Sequence, residues 1–384
     1  MRILFLQDHF EIGGAARAAG RFRALVKKLG HTTAVACGDG KASSEVFCLQ
    51  GKMPRGAGRI LQLCVPRRMR YQWMQARVAA AWRKCVDRFR PDSIWVHNLH
   101  GAYKWGWSLD LLTPPQLRIP IIWTLHDMAM LGDGETYWLE SEWRTRSADS
   151  PFRKIFAETP PNHLQLTAPS AWMADLAHRC TGRSCQALSN PIDLTTFQPG
   201  DREEARKKLG LPPNAPVFLA GAERVDDPRK GLILLEGLRD AFRQAGITLA
   251  VFGRNGRPQT GQVYLGVLRD EKEAAEAYRA ADLYFHLADQ ENAPCQIQEA
   301  LACGTPVLAF SVGGIPEMLR KEGTGFLVSW DDRVNLGEVF REKILRKIKI
   351  LSTMRDSCRR DAVGRYSEEV LGRRLQEFLG RSGG

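Results

Sequence analysis

Short apolar runs that read as buried strands alternate with amphipathic stretches along nearly the whole chain, and the pattern starts afresh near its middle. Few architectures accommodate that order. A strand, a helix and another strand make the unit of a parallel sheet, because parallel neighbours need a long crossover and a helix supplies it. Ile3 to Leu6 reads as a first strand. The Gly13-Gly14 turn opens a helix over Ala15 to Leu29, and Gly30 stops it before a strand over Thr32 to Cys37. Further strands are expected at Ile94 to His97, Ile121 to Leu125 and Leu166 to Ala168. After the turn Asn190-Pro191-Ile192-Asp193 come strands at Val217 to Ala220, Thr248 to Phe252, Asp282 to His286 and Val307 to Phe310. The 384 residues exceed what one ordinary core holds, so two successive α/β domains are expected.

Composition removes several function classes. Hydrophobic residues make up 44 % and charged residues 26 %, near the averages of soluble globular proteins. No apolar run reaches the roughly 20 residues of a spanning helix. The start, Met1-Arg2-Ile3-Leu4-Phe5-Leu6, already reads as a strand and not as a secretion signal, so a cytoplasmic location is expected. Nine cysteines lack the spacing of a disulfide framework or a zinc site, the close pair Cys180 and Cys185 included, and are expected to be free thiols.

The net charge of +12 is concentrated. Residues 52–90 hold eleven Lys or Arg against the single acid Asp87. Within this stretch Tyr71, Met74, Val78, Trp82, Cys85 and Phe89 recur at helical spacing, so one face is expected to pack inward while Arg70, Arg77, Arg83, Lys84 and Arg88 lie elsewhere. Such a face is either merely solvated or drawn to an anionic membrane surface or a phosphate-bearing acceptor. No nucleic-acid-binding signature accompanies it.

In a doubly wound sheet, ligands bind beyond the carboxyl ends of the strands, so the loops there are where chemistry is sought. Residues 291–304, ENAPCQIQEALACG, place a helix start directly after a strand, with Pro294 suited to the first turn and Gly304 to the stop. The free N–H groups at the helix start form an anion site, with Ala293, Pro294 and Cys295 expected to line it. Glu291 with Asn292 in the loop, and Glu299 one turn into the helix, are expected to accept hydrogen bonds from the hydroxyls of a hexose and a ribose. On the loop after Val217 to Ala220, Arg224 and Lys230 can clamp two phosphates, with Arg229 as a spare cation. Gly13 and Gly14 allow a ligand close to the backbone but do not complete the three-glycine dinucleotide fingerprint, which counts against a dehydrogenase. His126 and Asp127 follow the strand ending at Leu125, and His97 and His100 follow the previous one; each histidine is also compatible with a core role.

Together these segments resemble glycosyltransferase family four, whose α/β fold, GT-B, has two Rossmann-like domains facing across a cleft. Its glutamate, seven residues, glutamate motif is matched by Glu291 and Glu299, its phosphate clamp by Arg224 and Lys230, its glycine-rich first loop by Gly13 and Gly14, and its cleft histidine by His126. The runs Thr124-Leu125-His126-Asp127-Met128 and Asp227-Pro228-Arg229-Lys230-Gly231 look most like the bacterial enzymes of exopolysaccharide and lipopolysaccharide synthesis. The resemblance implies an N-terminal acceptor-side domain over 1–193, a donor-binding domain over 194–364, and a helix over 365–384 returning to the first. It further implies transfer with retention from a nucleotide diphosphate sugar to a saccharide or lipid-linked saccharide, with His126, Asp127 and Glu291 catalytic and no metal or other cofactor. Those relatives continue past His-Asp-Met into Thr-Gly-Gly-Cys-His-Tyr, where this chain has Ala129-Met130-Leu131-Gly132-Asp133-Gly134. That loop borders the acceptor side, so the acceptor is left open. A silent sugar-nucleotide binder would keep the same clamp; a glycoside hydrolase would have no use for Arg224 and Lys230 beside its carboxylates.

Overall fold

The computed structural model describes residues 1–50, 66–99, 106–113, 117–148, 152–160, 162–257, 260–319 and 322–382. His100 and residues 52–65 of the basic stretch lie outside these. The chain divides into two compact units, Met1–Ser189 with Gly372–Gly384, and Asn190–Leu371.

The first unit carries β1 (Arg2–Gln7), α1 (Gly14–Lys28), β2 (Thr32–Cys37), β3 (Val46–Cys48), α2 (Arg67–Phe89), β4 (Ser93–Val96), β5 (Ile121–Thr124), β6 (Leu164–Ala168), α3 (Ala171–Thr181) and β7 (Cys185–Ala187). Its sheet is parallel, in the order β3-β2-β1-β4-β5-β6-β7. The second carries α4 (Arg202–Lys208), β8 (Val217–Arg224), β9 (Thr248–Arg254), β10 (Gln262–Gly266), α5 (Glu271–Ala280), β11 (Leu283–His286), α6 (Cys295–Ala302), β12 (Val307–Phe310), β13 (Gly325–Val328) and α7 (Arg355–Tyr366). Its six-stranded sheet runs β10-β9-β8-β11-β12-β13. Strand order reverses beside β1 in one sheet and beside β8 in the other, which marks two topological switch points. Each unit is Rossmann-like.

Central strands are apolar on both faces because helices cover both: Ile3 through Leu6 and Val217 through Ala220 are each completely buried. The edge strands β3, β7, β10 and β13 were not among the expected ones. They are short or only half-buried, so their composition carries little strand signal. Strand β8 continues to Arg224 past the expected end at Ala220, with a register irregularity between Gly221 and Arg224.

The unit boundary falls at Ser189 and not at Asp193. Asn190 is held by the second unit: its amide donates to the Ala293 carbonyl at 3.3 Å and its own carbonyl accepts from Gln298 Nε2 at 3.1 Å. At the other end, helix α8 (Glu368–Ser382) starts in the second unit and from Gly372 belongs to the first. There Phe378 packs against Trp95, ring centroids 6.5 Å apart.

Helix α2 starts at Arg67, behind Pro66, and buries Val78, Trp82, Cys85 and Phe89. Tyr71, expected to face inward, is exposed, as are Met69 and Trp73; the close backbone approach of Gly106 comes one turn later, at Met74. The eight described cysteines are free thiols.

Candidate functional site

At the second unit's switch point, the loops after β8 and β11 are joined side chain to side chain. Lys230 Nζ pairs with Glu291 Oε1, and His286 Nε2 lies 3.7 Å from the same oxygen, too long for a hydrogen bond but close enough to act through charge. The Glu291 side chain is only 11 % exposed. Burial pushes its carboxyl up, but Lys230 and His286 more than reverse this and hold it at about 2. Sequence reasoning did not single out His286. Its signal was available: it is the last residue of β11, at the carboxyl end of a strand beside the switch point.

Backbone contacts fix the two loops to each other. The Asp289 N–H donates to the Arg229 carbonyl at 3.0 Å, and Lys230 closes a single turn of 3-10 helix over Pro228–Lys230, capped by Asp227. Gly231 follows at φ 64° against Leu287, where no side chain fits.

Helix α6 begins at Cys295, so Pro294 sits at its cap and not in its first turn. With φ −65° and ψ 123°, Pro294 turns the chain out of the loop, and no side chain caps the helix. No capping side chain therefore blocks the helix start, whose dipole end favours an anion, while the Ile297 N–H closes on the Pro294 carbonyl at 3.1 Å. Asn292 and Glu299 are each 1 % exposed. Glu299 accepts from the Tyr278 hydroxyl at 3.3 Å, between helices α5 and α6, while Glu291 stands at the loop with Lys230.

Arg224 is positioned differently from Lys230. Its side chain is 61 % exposed and its fork is engaged by Asp226, Nε to Oδ1 at 3.1 Å and Nη2 to Oδ2 at 3.0 Å. The Arg224 fork, with Asn255 behind it at 3.0 Å, holds the Asp226 carboxyl at about 2. Arg229 is paired in the same way with Asp227.

At the first unit's switch point, Gly13 caps α1 at φ 90°, and a Cβ added to Gly13 or Gly14 would meet nothing within 4 Å. The backbone there borders open space and the first turn of α1 carries no acidic side chain. Beside the switch point, past the ends of the neighbouring strands β4 and β5, His97 Nδ1 meets His126 Nε2 at 2.9 Å. Asp127 is buried, and its Oδ1 accepts from the Ala129 N–H at 3.0 Å, shaping the turn after β5. Beside α1 lies a cavity of about 180 Å³ lined in part by Gln7, Phe10, Glu11, Arg17 and Gly20.

Two family models match this chain: "Glycosyltransferase Family 4" over residues 12–196 and "Glycosyl transferases group 1" over 259–348. The chain belongs to glycosyltransferase family four. Among its relatives, the D-inositol 3-phosphate glycosyltransferase of Segniliparus rotundus is 27 % identical over 289 residues, 66 % of this chain and 59 % of that protein. The protein of the same name from Mycobacterium sp. strain KMS is 35 % identical over 257 residues, 61 % of this chain and 56 % of that protein. The match thus spans somewhat more than half the length of these relatives. Anabaena HepE, solved in complex with UDP-glucose, shares the fold: its TM-score is 0.69 at 18 % identity, covering 99 % of this chain and all of HepE. In this family-four chain His286, Glu291 and Glu299 fall within the group 1 match, Arg224 and Lys230 lie between the two matches, and Gly13, Gly14 and His126 fall within the first.

Proposed function

We propose that this chain is a retaining, metal-independent glycosyltransferase that moves a hexose from a nucleotide diphosphate sugar to a saccharide or lipid-linked saccharide in cell-surface polysaccharide synthesis. The observation that carries the reading is the pairing of Lys230 with Glu291 at the mouth of an uncapped helix. A diphosphate leaving group needs fixed positive charge and N–H dipoles, and Lys230 with the start of α6 supplies both. Glu291, kept ionised by Lys230, is suited to accept hydrogen bonds from the hexose, and Glu299 is assigned to the ribose diol. Arg224 reaches the phosphates by exchanging Asp226 for them.

In the reaction, the bond from the anomeric carbon to the diphosphate oxygen breaks through an oxocarbenium-like sugar. The acceptor oxygen bonds to that carbon on the face being vacated, and its proton passes to the leaving phosphate. His126 and Asp127 are assigned to the reaction by the family resemblance. No metal is needed where Lys230 and Arg224 take the charge.

Gln7, Glu11 and Arg17 around the cavity beside α1 offer hydroxyl partners, which supports an acceptor role for the first unit. The exposed Met69, Tyr71 and Trp73, set among Arg67, Arg68 and Arg70, support attachment to the inner face of an anionic membrane. Among the described residues no helix is long and apolar enough to cross one.

Turnover of a donor panel tests the reading. UDP-glucose comes first because HepE was solved with it, and an inositol phosphate joins the acceptors because of the relatives' names. Sugar transfer with retained configuration supports the proposal. Binding without turnover makes the chain a silent binder, and hydrolysis without nucleotide makes it a glycoside hydrolase.

A further inference from the structure

One proton lies between the two imidazoles of the first unit, since each neutral ring has a single N–H and a single lone pair. Either His97 donates from Nδ1 or His126 donates from Nε2. His97 decides between them. It is 2 % exposed, and its other nitrogen, Nε2, is buried with no hydrogen-bond partner among the described residues. Phe5 stacks on the ring at 5.6 Å and 12°, and Trp95 at 5.5 Å and 22°. An N–H lies in the plane of its imidazole and cannot point at the faces of rings stacked parallel to it. A proton on Nε2 would therefore be a donor sealed away without an acceptor, the rarer and costlier of the two possible orphans. On Nδ1 the same proton is satisfied by His126. Burial, and secondarily the neighbouring His126, lower the basicity of His97 and keep it neutral.

We infer that His97 is a positioning residue that locks His126 in the tautomer carrying its proton on Nδ1, so that His126 offers substrate an N–H donor and has no base at Nε2 to offer. The donor suits a sugar hydroxyl or a phosphate oxygen. With Nε2 of His126 already occupied, the acceptor's proton is left to the departing phosphate. The functional half of this inference rests on the transferase reading above; the tautomer does not.

Long-range 1H–15N correlation spectra of the full chain, labelled at histidine, read the tautomer directly, with His126→Asn used to assign the signal. The expected result is a neutral His126 protonated at Nδ1. In His97→Phe it changes to the Nε2–H form and turnover falls roughly three- to ten-fold, the loss of one oriented hydrogen bond, with donor KM little changed. His97→Asn, whose amide places an N–H where Nδ1 was, restores the tautomer and most of the rate. A wild-type His126 protonated at Nε2 overturns the inference without any variant. So does a switched tautomer in His97→Phe at unaltered turnover. If wild-type protein transfers no sugar, the spectra still decide the tautomer, and the transferase reading alone fails.

Discussion

Gly231 lies so close to the carbonyl oxygen of Leu287 that a Cβ on it would overlap that oxygen, and its φ of 64° is one that other residues adopt at a cost. This is where the loop after β8 touches the end of β11, one residue past Lys230. Gly231→Ala is expected to force the two loops apart, weakening the Lys230 pairing with Glu291. Left-handed strain alone costs about 1 kcal/mol and the overlap adds to it. Donor affinity, read by calorimetry, should fall more than thermal stability does. Unchanged affinity would mean that the loop contact does not position the site.

Lys230→Ala and Arg224→Ala are expected to separate structure from binding. Both remove a charge-assisted contact to a diphosphate, about 1.5 to 3 kcal/mol each. Lys230→Ala also leaves the largely buried Glu291 without its cation, so it should lower the melting temperature as well. Arg224 is exposed, and its loss should leave stability unchanged. Normal donor affinity in both variants would remove the clamp.

Sugar transfer should continue in excess EDTA. Loss of activity on chelation, with rescue by magnesium or manganese, would show that an ion and not the Lys and Arg pair neutralises the diphosphate.

Acidification is expected to destabilise the fold in two separate windows. Burial and His126 depress His97, so the unfolded chain takes a proton near 6.5 and the folded chain only well below it. Stability is then full above 6.5 and falls below it, by up to roughly 1.4 kcal/mol per pH unit for one group. His31 and His163 are also depressed by burial and act with the same sign. The difference between wild type and His97→Phe in urea midpoints across this range therefore isolates His97. Glu291, held low by Lys230 and His286 against its burial, contributes above 4.5, and that part is lost as the pH falls towards about 2. A pH-independent difference between the two proteins would contradict the neutral, buried His97.

Wild-type protein should sediment with anionic vesicles at low salt and release at high salt, because exposed charges are screened beyond roughly 8 to 10 Å at physiological ionic strength. Neutralising Arg67, Arg68 and Arg70 together with Trp73→Ala should abolish sedimentation and leave donor binding intact. Wild type that ignores such vesicles would return α2 to being a solvated helix.

Much of this was legible in the chain itself, for physical reasons that also explain what was not. A strand such as Val307–Phe310 is buried along its whole length and apolar throughout, so its limits show in composition. Val46–Cys48 and Cys185–Ala187 have a neighbour on one side only and are three residues long, which leaves no pattern to see. Glu291 and Lys230 were visible as motif residues, but their mutual pairing depends on two loops meeting 61 positions apart in sequence. In the sequence His286 is one more strand residue, and only the fold ends β11 beside Glu291. The engagement of Arg224 by Asp226 followed from nothing in the spacing, since neighbouring acids and bases usually reach past each other into solvent.

Helix α8 leaves one unit and finishes in the other, and Leu375, Phe378 and Leu379 are all in the core there. The first unit is consequently encoded by two separated stretches of gene. A fragment ending at Ser189 would lack those three side chains and expose the apolar surface they cover, at a cost of roughly 1.5 to 3 kcal/mol for each. Exchanging donor specificity between relatives by transplanting the second unit is thus an insertion with two junctions, near Ser189 and Gly372, and a single crossover would leave each hybrid with a foreign final helix.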